Sequence, residues 1–229
     1  PYLYFASAVT AAGLTCFASL GLLSDFLLIV YVLALGRFCL ALASLDAGSA
    51  FGGMGGSREV YISVLVEPAL LLSLLTVALP AGTTGLSAMI GGAADFPLTV
   101  PYVLSAAAFF IVAIAETGRI PVDNPDTHLE LTMVHEGMVL EYSGRELALI
   151  HWAAMVKQFT ILLLFARLFI PWTFGFEGFA AIIWMASKVM IGAVLLALVE
   201  TSTNKLRLFK LPGLLSVSGL LSVLALIAQ

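Results

Sequence analysis

Charged residues are scarce in this sequence of 229 residues. Lys, Arg, Asp and Glu together make up 10% of it, hydrophobic residues make up 61%, and the mean hydropathy is +1.09. Soluble globular proteins carry about 25% charged residues. The composition therefore excludes an ordinary water-soluble fold and indicates an integral membrane protein. The few Lys and Arg residues form no long basic tract, so a nucleic-acid partner is not expected.

Cysteine is also scarce. Both cysteines, Cys16 and Cys39, lie in apolar segments, where a thiol behaves as a small hydrophobic group. They predict neither a disulfide nor a metal site. The chain starts at Pro1 rather than Met and shows no secretory signal pattern, so we expect a segment upstream of this sequence.

Long apolar segments dominate what is present. Each has about 17 to 24 residues, the length that a helix needs to cross a bilayer. They are continuous rather than alternating in polarity, which argues against a membrane β-barrel. The sequence thus predicts an all-α, polytopic transmembrane helix bundle forming one domain over 1–229, with seven spans at about 2–21, 25–45, 60–80, 98–117, 147–170, 178–200 and 212–228.

The predicted connections differ in charge. Those at 46–59, 118–146 and 201–211 contain Lys or Arg residues, whereas those at 22–24, 81–97 and 171–177 contain none. The positive-inside rule therefore predicts that the first three connections face the cytoplasm.

The second of these connections, 118–146, is acidic. The stretch from Glu116 to Gly144, which covers most of this connection, holds 6 of the 14 carboxylates of the chain and 2 of its 3 histidines. Pro121 and Pro125 disfavour helix at its start. Thr127 and Glu130 then form a capping box, which predicts a helix over about 128–140. Apolar residues surround this helix, so we expect it to pack against a partner protein.

This acidic connection could instead be a solvated negative surface. A metal site formed by His128 and His135 is a weaker alternative, because seven residues of helix separate the two rings by about 10 Å. We predict no metal site.

Four ionisable residues fall well inside predicted spans: Arg37, Glu67, Lys157 and Lys188. Each costs roughly 2.5–3.5 kcal/mol at the bilayer centre unless it has a partner or water. Arg37 and Glu67 could form a static pair, and either lysine could neutralise a buried carboxylate. Alternatively, these groups belong to a proton relay. Pro68 supports a functional interpretation of Glu67, because it frees backbone carbonyls in the preceding turn.

Two motifs in the acidic connection resemble a known family. ETGRIPVDNP (116–125) and EYSG (141–144) are similar to the membrane subunit 1 family of respiratory complex I and its relatives, the group 4 membrane-bound [NiFe] hydrogenases. His128, the long spacing before Glu141 and the segment FGGMGGSRE (51–59) resemble the hydrogenase-4 and formate hydrogenlyase branch of that family.

This resemblance implies a membrane subunit of a redox-driven ion pump in the prokaryotic cytoplasmic (inner) membrane. The subunit would hold no cofactor. It would connect hydrophilic hydrogenase-like large and small subunits and a ferredoxin-like subunit, which carry a NiFe centre and iron–sulfur clusters, to antiporter-like membrane subunits. The alternatives are the quinone-site subunit of an NADH:quinone oxidoreductase and a passive membrane anchor.

Within that framework the candidate residues take three roles. A proton relay would use Glu67, Glu116, Asp123, Glu130, Glu136, Glu141, Lys157 and Lys188. Arg58 and Arg119 would orient the carboxylates or dock the peripheral arm, and His128 and His135 are further candidates for the relay.

Overall fold

The computed structural model describes residues 1–18, 24–95, 99–123, 134–172, 178–203 and 211–229. Within these ranges the chain is helical and contains no named strand, which confirms the predicted all-α class. The helices are α1 (Tyr2–Cys16), α2 (Phe26–Asp46), α3 (Ala50–Ala81), α4 (Leu86–Asp95), α5 (Val100–Glu116), α6 (His135–Val139), α7 (Gly144–Phe169), α8 (Phe179–Ser202) and α9 (Leu211–Ile227).

A helix occupies each of the seven predicted spans. Four of them, α2, α3, α7 and α8, are long and apolar enough to cross a membrane, and α1, α5 and α9 are shorter apolar helices of 15 to 17 residues. The assignment of 1–229 to one domain stays a prediction.

Two predicted connections are wrong in part. Residues 50–59 are not a loop but the first ten residues of α3, and the predicted connection at 81–97 contains α4. With 32 residues, α3 is about 48 Å long, which exceeds the roughly 30 Å hydrocarbon core of a bilayer. Glycine favours turns as well as close helix contacts, which is why the sequence predicts a connection here. Ser49 caps this end by accepting a hydrogen bond from the Gly52 amide at 3.1 Å.

The glycines of α3 serve close packing instead. A Cβ at Gly52 would lie 2.7 Å from the Ser44 carbonyl oxygen of α2, and a Cβ at Gly56 would lie 2.5 Å from the Ser44 hydroxyl. Gly55 faces α6, where a Cβ would meet the Val134 carbonyl oxygen at 2.9 Å. The absence of side chains thus lets α3 approach two neighbouring segments closely, as small residues do in membrane helices.

Helix α5 lies in the core of the bundle and packs against α3, α7 and α9. Three hydroxyl groups connect these helices. Ser105 donates to the Ser73 carbonyl of α3 at 2.7 Å, Ser218 of α9 donates to the Ala108 carbonyl at 3.0 Å, and the Tyr102 hydroxyl donates to the Leu168 carbonyl of α7. Helix α5 is therefore held by hydrogen bonds to all three neighbours.

The start of α2 and the start of α4 are joined outside the helices. The Phe26 amide donates to the Thr84 carbonyl at 3.1 Å, the Leu86 amide donates to the Ser24 carbonyl at 2.7 Å, and the Thr84 hydroxyl donates to Asp25 at 2.9 Å. On α7, Arg167 donates to the carbonyls of Thr15 and Cys16 at the end of α1, at 2.5 and 3.2 Å. The first set of contacts thus joins α2 to α4, and the second joins α7 to α1.

Candidate functional site

A cluster of three charged side chains is buried between α2, α5 and α7. Arg37, Glu116 and Lys157 are 6%, 4% and 7% exposed. One carboxylate oxygen of Glu116, Oε1, pairs with Arg37 Nη2 and lies 3.4 Å from Lys157 Nζ. The structure thus brings together Glu116 and Lys157, two of the predicted relay residues, and adds Arg37 between them.

Glu67 of α3 lies at the edge of this cluster. Its Oε1 is 3.9 Å from Arg37 Nη2, and its side chain is 34% exposed. The expected proximity of Arg37 and Glu67 is therefore present, but the closer carboxylate is Glu116. The same Nη2 atom contacts both, so Arg37 lies between a buried and a partly exposed carboxylate.

A groove between α2 and α3 opens beside Glu67. It has a volume of about 380 Å³, and its polar lining comes from Arg37 together with three residues of α3 spaced four apart: Glu59, Ser63 and Glu67. That spacing places the three on one face of the helix. Exposed apolar side chains, including Tyr31 and Phe38, form the rest of the wall.

A smaller cavity of about 50 Å³ lies on the inner side of the cluster. Arg37 and Glu59 line both this cavity and the groove. The chemically active side chains around the cavity come from six helices and the connection after α5. They are Tyr4, Arg37, Glu59, Glu116, Asp123, His135 and Lys157. Polar groups therefore continue from the acidic connection, through the buried cluster, to the groove.

Asp123 fixes the geometry of the acidic connection. Its Oδ2 accepts hydrogen bonds from the Val134 amide at 3.2 Å and from the His135 amide at 3.0 Å. These bonds tie the end of the α5 connection to the start of α6, across residues 124–133. Gly55 supports α6 from the other side. Together they place His135 at the cavity.

The predicted loop helix over about 128–140 is observed as α6 over His135–Val139, and residues 128–133 lie outside the described ranges. His135 Nε2 is buried, and this burial lowers the pKa of the imidazole below its usual value, against the opposing effect of Glu59. His135 is therefore neutral at pH 7.

Two further predicted residues, Arg119 and Lys188, lie apart from the cavity lining. Arg119 donates to Gln158 of α7 at 3.0 Å and lies 3.7 Å from Glu200 of α8, so it joins the connection to both helices. Lys188 donates to the Ile170 carbonyl at 2.6 Å and lies 5.7 Å from the centre of the Trp184 ring. Its partner is thus a backbone carbonyl at the end of α7.

Three predicted residues lie on other surfaces. Arg58 lies on α3 next to Glu59 and is partly exposed, Glu136 is partly exposed on α6, and Glu141 is exposed. The candidates Glu130 and His128 fall outside the described residues. The described part of the chain contains no group of three His, Cys, Asp or Glu residues that could hold a metal ion.

Sequence reasoning missed two residues of the cavity. The predicted connection at 46–59 places Glu59 in a loop, although its spacing of four from Ser63 and eight from Glu67 is that of residues on one helix face. Tyr4 gives no such signal, because an aromatic residue in an apolar segment is ordinary. Arg37 was recognised as an intramembrane charge, but its pairing with Glu116 joins residues 79 apart in sequence.

Comparisons with known proteins place this arrangement in context. A family model described as NADH dehydrogenase matches residues 1–228. Formate hydrogenlyase subunit 4 of Escherichia coli (strain K12) is 36% identical over 193 residues, which cover 81% of this chain and 62% of that protein. Hydrogenase-4 component C of the same organism is 38% identical over 193 residues, covering 83% of this chain and 56% of that protein.

A more distant relative also matches most of this chain and little more than half of its own length. An NADH-quinone oxidoreductase subunit of Thermomicrobium roseum is 30% identical over 201 residues, covering 81% of this chain and 57% of that protein. The chain thus spans less than two thirds of the length of these curated relatives. A chain in the structure of the membrane-bound sulfane sulfur reductase, an archaeal respiratory membrane complex, shares the fold with a TM-score of 0.75 at 17% identity, over 98% of this chain and 80% of its own.

Proposed function

The chain belongs to the NADH dehydrogenase family, and we propose that it is a membrane subunit of a redox-driven ion pump of the formate hydrogenlyase and hydrogenase-4 type. In this proposal it connects peripheral electron-transfer subunits, which carry a NiFe centre and iron–sulfur clusters, to antiporter-like membrane subunits. The acidic connection faces the cytoplasm, and the complex resides in the prokaryotic cytoplasmic membrane.

The observation that carries this proposal is the cluster of Arg37, Glu116 and Lys157 beside the cavity. A buried ion pair contributes little to stability compared with apolar packing, since the desolvation of its charges offsets their attraction. A cluster of charges inside an apolar bundle is therefore better explained by ion handling than by folding. Its position between the acidic connection and the groove supports a path from one to the other.

The geometry also supports a mechanism. A change of charge in a peripheral subunit near the acidic connection alters the field at Glu116. If Glu116 takes up a proton, its attraction for Arg37 weakens, and the guanidinium shifts towards Glu67, which is already within 3.9 Å. The positive charge then moves towards the groove, where it favours release of a proton or cation held by Glu67 or Glu59. Arg119 and Arg58 keep their proposed roles in orienting or docking.

The hydrogenase branch is the first choice because identity is 36% and 38% to the formate hydrogenlyase and hydrogenase-4 subunits, against 30% to a quinone oxidoreductase subunit of comparable coverage. The last match makes a subunit of an NADH:quinone oxidoreductase the second candidate. Co-purification distinguishes them. A nickel–iron large subunit and a ferredoxin-like subunit support the first, and inhibition of the complex by a quinone analogue supports the second.

Reconstitution of the purified complex in liposomes tests ion translocation directly. We expect Glu67→Gln to lower ion transport per electron transferred while the redox rate and the subunit composition stay normal. Glu200→Gln is the matched control, because it also removes a partly exposed carboxylate that pairs with an arginine, but outside the cavity and the groove. Unchanged coupling in Glu67→Gln and Glu116→Gln complexes that assemble normally would instead show a passive anchor.

A further inference from the structure

Three buried polar atoms, all in residues that line the small cavity, have no hydrogen-bond partner among the described residues. They are Arg37 Nε, Glu116 Oε2 and His135 Nε2. They belong to α2, α5 and α6, three segments far apart in sequence, and all three residues line the same cavity. One shared ligand would explain all three at once.

The cavity has the size and chemistry to hold water. A buried polar atom without a partner costs about 1–3 kcal/mol. A buried water needs a volume of about 10–15 Å³ and two to four polar partners, and this cavity offers about 50 Å³. Arg37 Nε can only donate a hydrogen bond and Glu116 Oε2 as a carboxylate oxygen can only accept one, whereas the Nε2 of a neutral histidine does either according to its tautomer.

Water fits these three atoms better than an ion does. A cation would lie close to Arg37 and Lys157, and an anion would lie close to Glu116 and Asp123. A water molecule can accept from Arg37 Nε and donate to Glu116 Oε2, and a second can join the first to His135 Nε2. No charge is then added to a site that already holds both signs.

We infer that the cavity is a hydration site in which ordered water bridges His135 Nε2, Glu116 Oε2 and Arg37 Nε. We further infer that His135 is the residue that delivers protons from the acidic connection to Glu116. The hydration site depends only on the geometry. The role of His135 in proton delivery rests, in addition, on the proposed function.

The proton transfer can be followed atom by atom. His135 Nε2, when neutral and unprotonated at that nitrogen, accepts a proton from the acidic connection and forms an N–H bond. That N–H then donates to the second water, the second water passes one of its own protons to the first, and the first passes one of its own to Glu116 Oε2. The N–H bond breaks as the second water regains a proton. The carboxylate ends protonated, the imidazole ends neutral, and the two waters are unchanged.

The electrostatic surroundings of His135 suit a transient proton. Desolvation lowers its pKa, so it does not hold the proton permanently. Four carboxylates and two cations face it from the elements packed around it. They are Glu59 of α3, Glu116 of α5, Asp123 after α5, Glu136 of α6, Arg37 of α2 and Lys157 of α7.

A high-resolution cryo-electron microscopy map of the whole complex in lipid nanodiscs tests the hydration site. We expect density for at least one water within hydrogen-bonding distance of Glu116 Oε2 and of Arg37 Nε or His135 Nε2. A side chain of residues 124–133 or of a partner subunit that fills the cavity overturns the inference, as does a cavity without density.

Two histidine variants test proton delivery. His135→Gln keeps polar atoms at the cavity but cannot carry a proton, so the water density should remain. We expect proton translocation by the reconstituted complex to fall about tenfold or more, and the inflection of its pH profile below pH 6.5, the ordinary pKa of histidine, to disappear. His151→Gln is the matched control, since His151 lies on α7 outside the cavity lining.

The hydration site and proton delivery by His135 can be disproved separately. A wild-type complex that moves no ions contradicts the proposed function and the proton role of His135 together, while the density still decides the hydration site. A His135→Gln complex with the wild-type rate and pH profile overturns proton delivery by His135 and leaves the proposed function intact.

Discussion

Arg37 and Glu116 form a buried ion pair that joins the second and fifth helices of the bundle. Glu116 Oε1 also lies 3.4 Å from Lys157 Nζ, so one carboxylate faces two cations. The second carboxylate, Glu67, is more exposed and more distant from Arg37. Neutralising Glu116 should therefore lower the free energy of unfolding far more than neutralising Glu67.

We expect Glu116→Gln to destabilise the protein by about 3–5 kcal/mol, since it leaves two buried cations without their closest counter-charge. Glu67→Gln should cost less than about 1 kcal/mol, because a partly exposed pair at 3.9 Å is screened by its surroundings. Denaturant unfolding in mixed micelles measures both free energies. Equal losses of stability would show that the buried position of Glu116 is not what distinguishes them.

Alanine substitutions at Gly55 and at Gly53 of α3 should have opposite effects on stability. In Gly55→Ala the new methyl group would meet three backbone atoms of the α6 segment, at 2.9 to 3.1 Å, so α6 must move away from α3. We expect lower stability and faster amide hydrogen exchange in residues 135–139. Gly53→Ala is the control on the same helix, where nothing lies within 4 Å. It should be neutral or stabilising by about 0.5–1 kcal/mol, because alanine is a better helix former than glycine.

The helical bundle could be predicted because continuous apolar segments of this length form helices in a membrane. The structure has a helix in each of the seven predicted segments. The start of α3 could not be predicted, because glycine occurs both in turns and at close helix contacts. At Gly52, Gly55 and Gly56 it serves close contact, which is visible only from the positions of Ser44 and α6. The sequence placed Glu116 in a motif but not beside Arg37. That pairing depends on how α2 and α5 pack, which periodicity does not reveal.

Asp123 illustrates the same limit, because its predicted role in a relay did not include its structural one. Its Oδ2 accepts from the amides of Val134 and His135. We expect Asp123→Ala to raise hydrogen exchange at these two amides by about fivefold or more, since losing the acceptor at a helix start costs about 1 kcal/mol or more. Asp123→Asn keeps an acceptor oxygen and should retain most of the protection. An equal rise in both variants would mean that the negative charge, rather than the acceptor oxygen, holds α6.

Stability should depend on pH through His135. Its pKa is lowered in the folded state by burial, so the unfolded state binds the proton more readily. The resulting stabilisation is fully present above the unfolded value of about 6.5 and is lost as pH falls from there towards the folded pKa. We expect the thermal midpoint in nanodiscs to drop over this window, and His135→Gln to flatten the drop. An equally steep drop in the His135→Gln protein would contradict this prediction.

Lys157 and Lys188 are both predicted as relay residues, but their replacement should affect ion translocation differently. Lys157 Nζ lies beside Glu116 and lines the cavity, whereas Lys188 Nζ donates to the Ile170 carbonyl at the end of α7. We expect Lys157→Met to lower ion translocation per electron, because Glu116 loses one of its two cationic partners. Lys188→Met should leave that ratio unchanged and affect only stability, because it removes a hydrogen bond to a helix end. Transport and redox rates measured in the same liposomes give the ratio. Loss of coupling in Lys188→Met with normal assembly would extend the path beyond the cavity, towards α8.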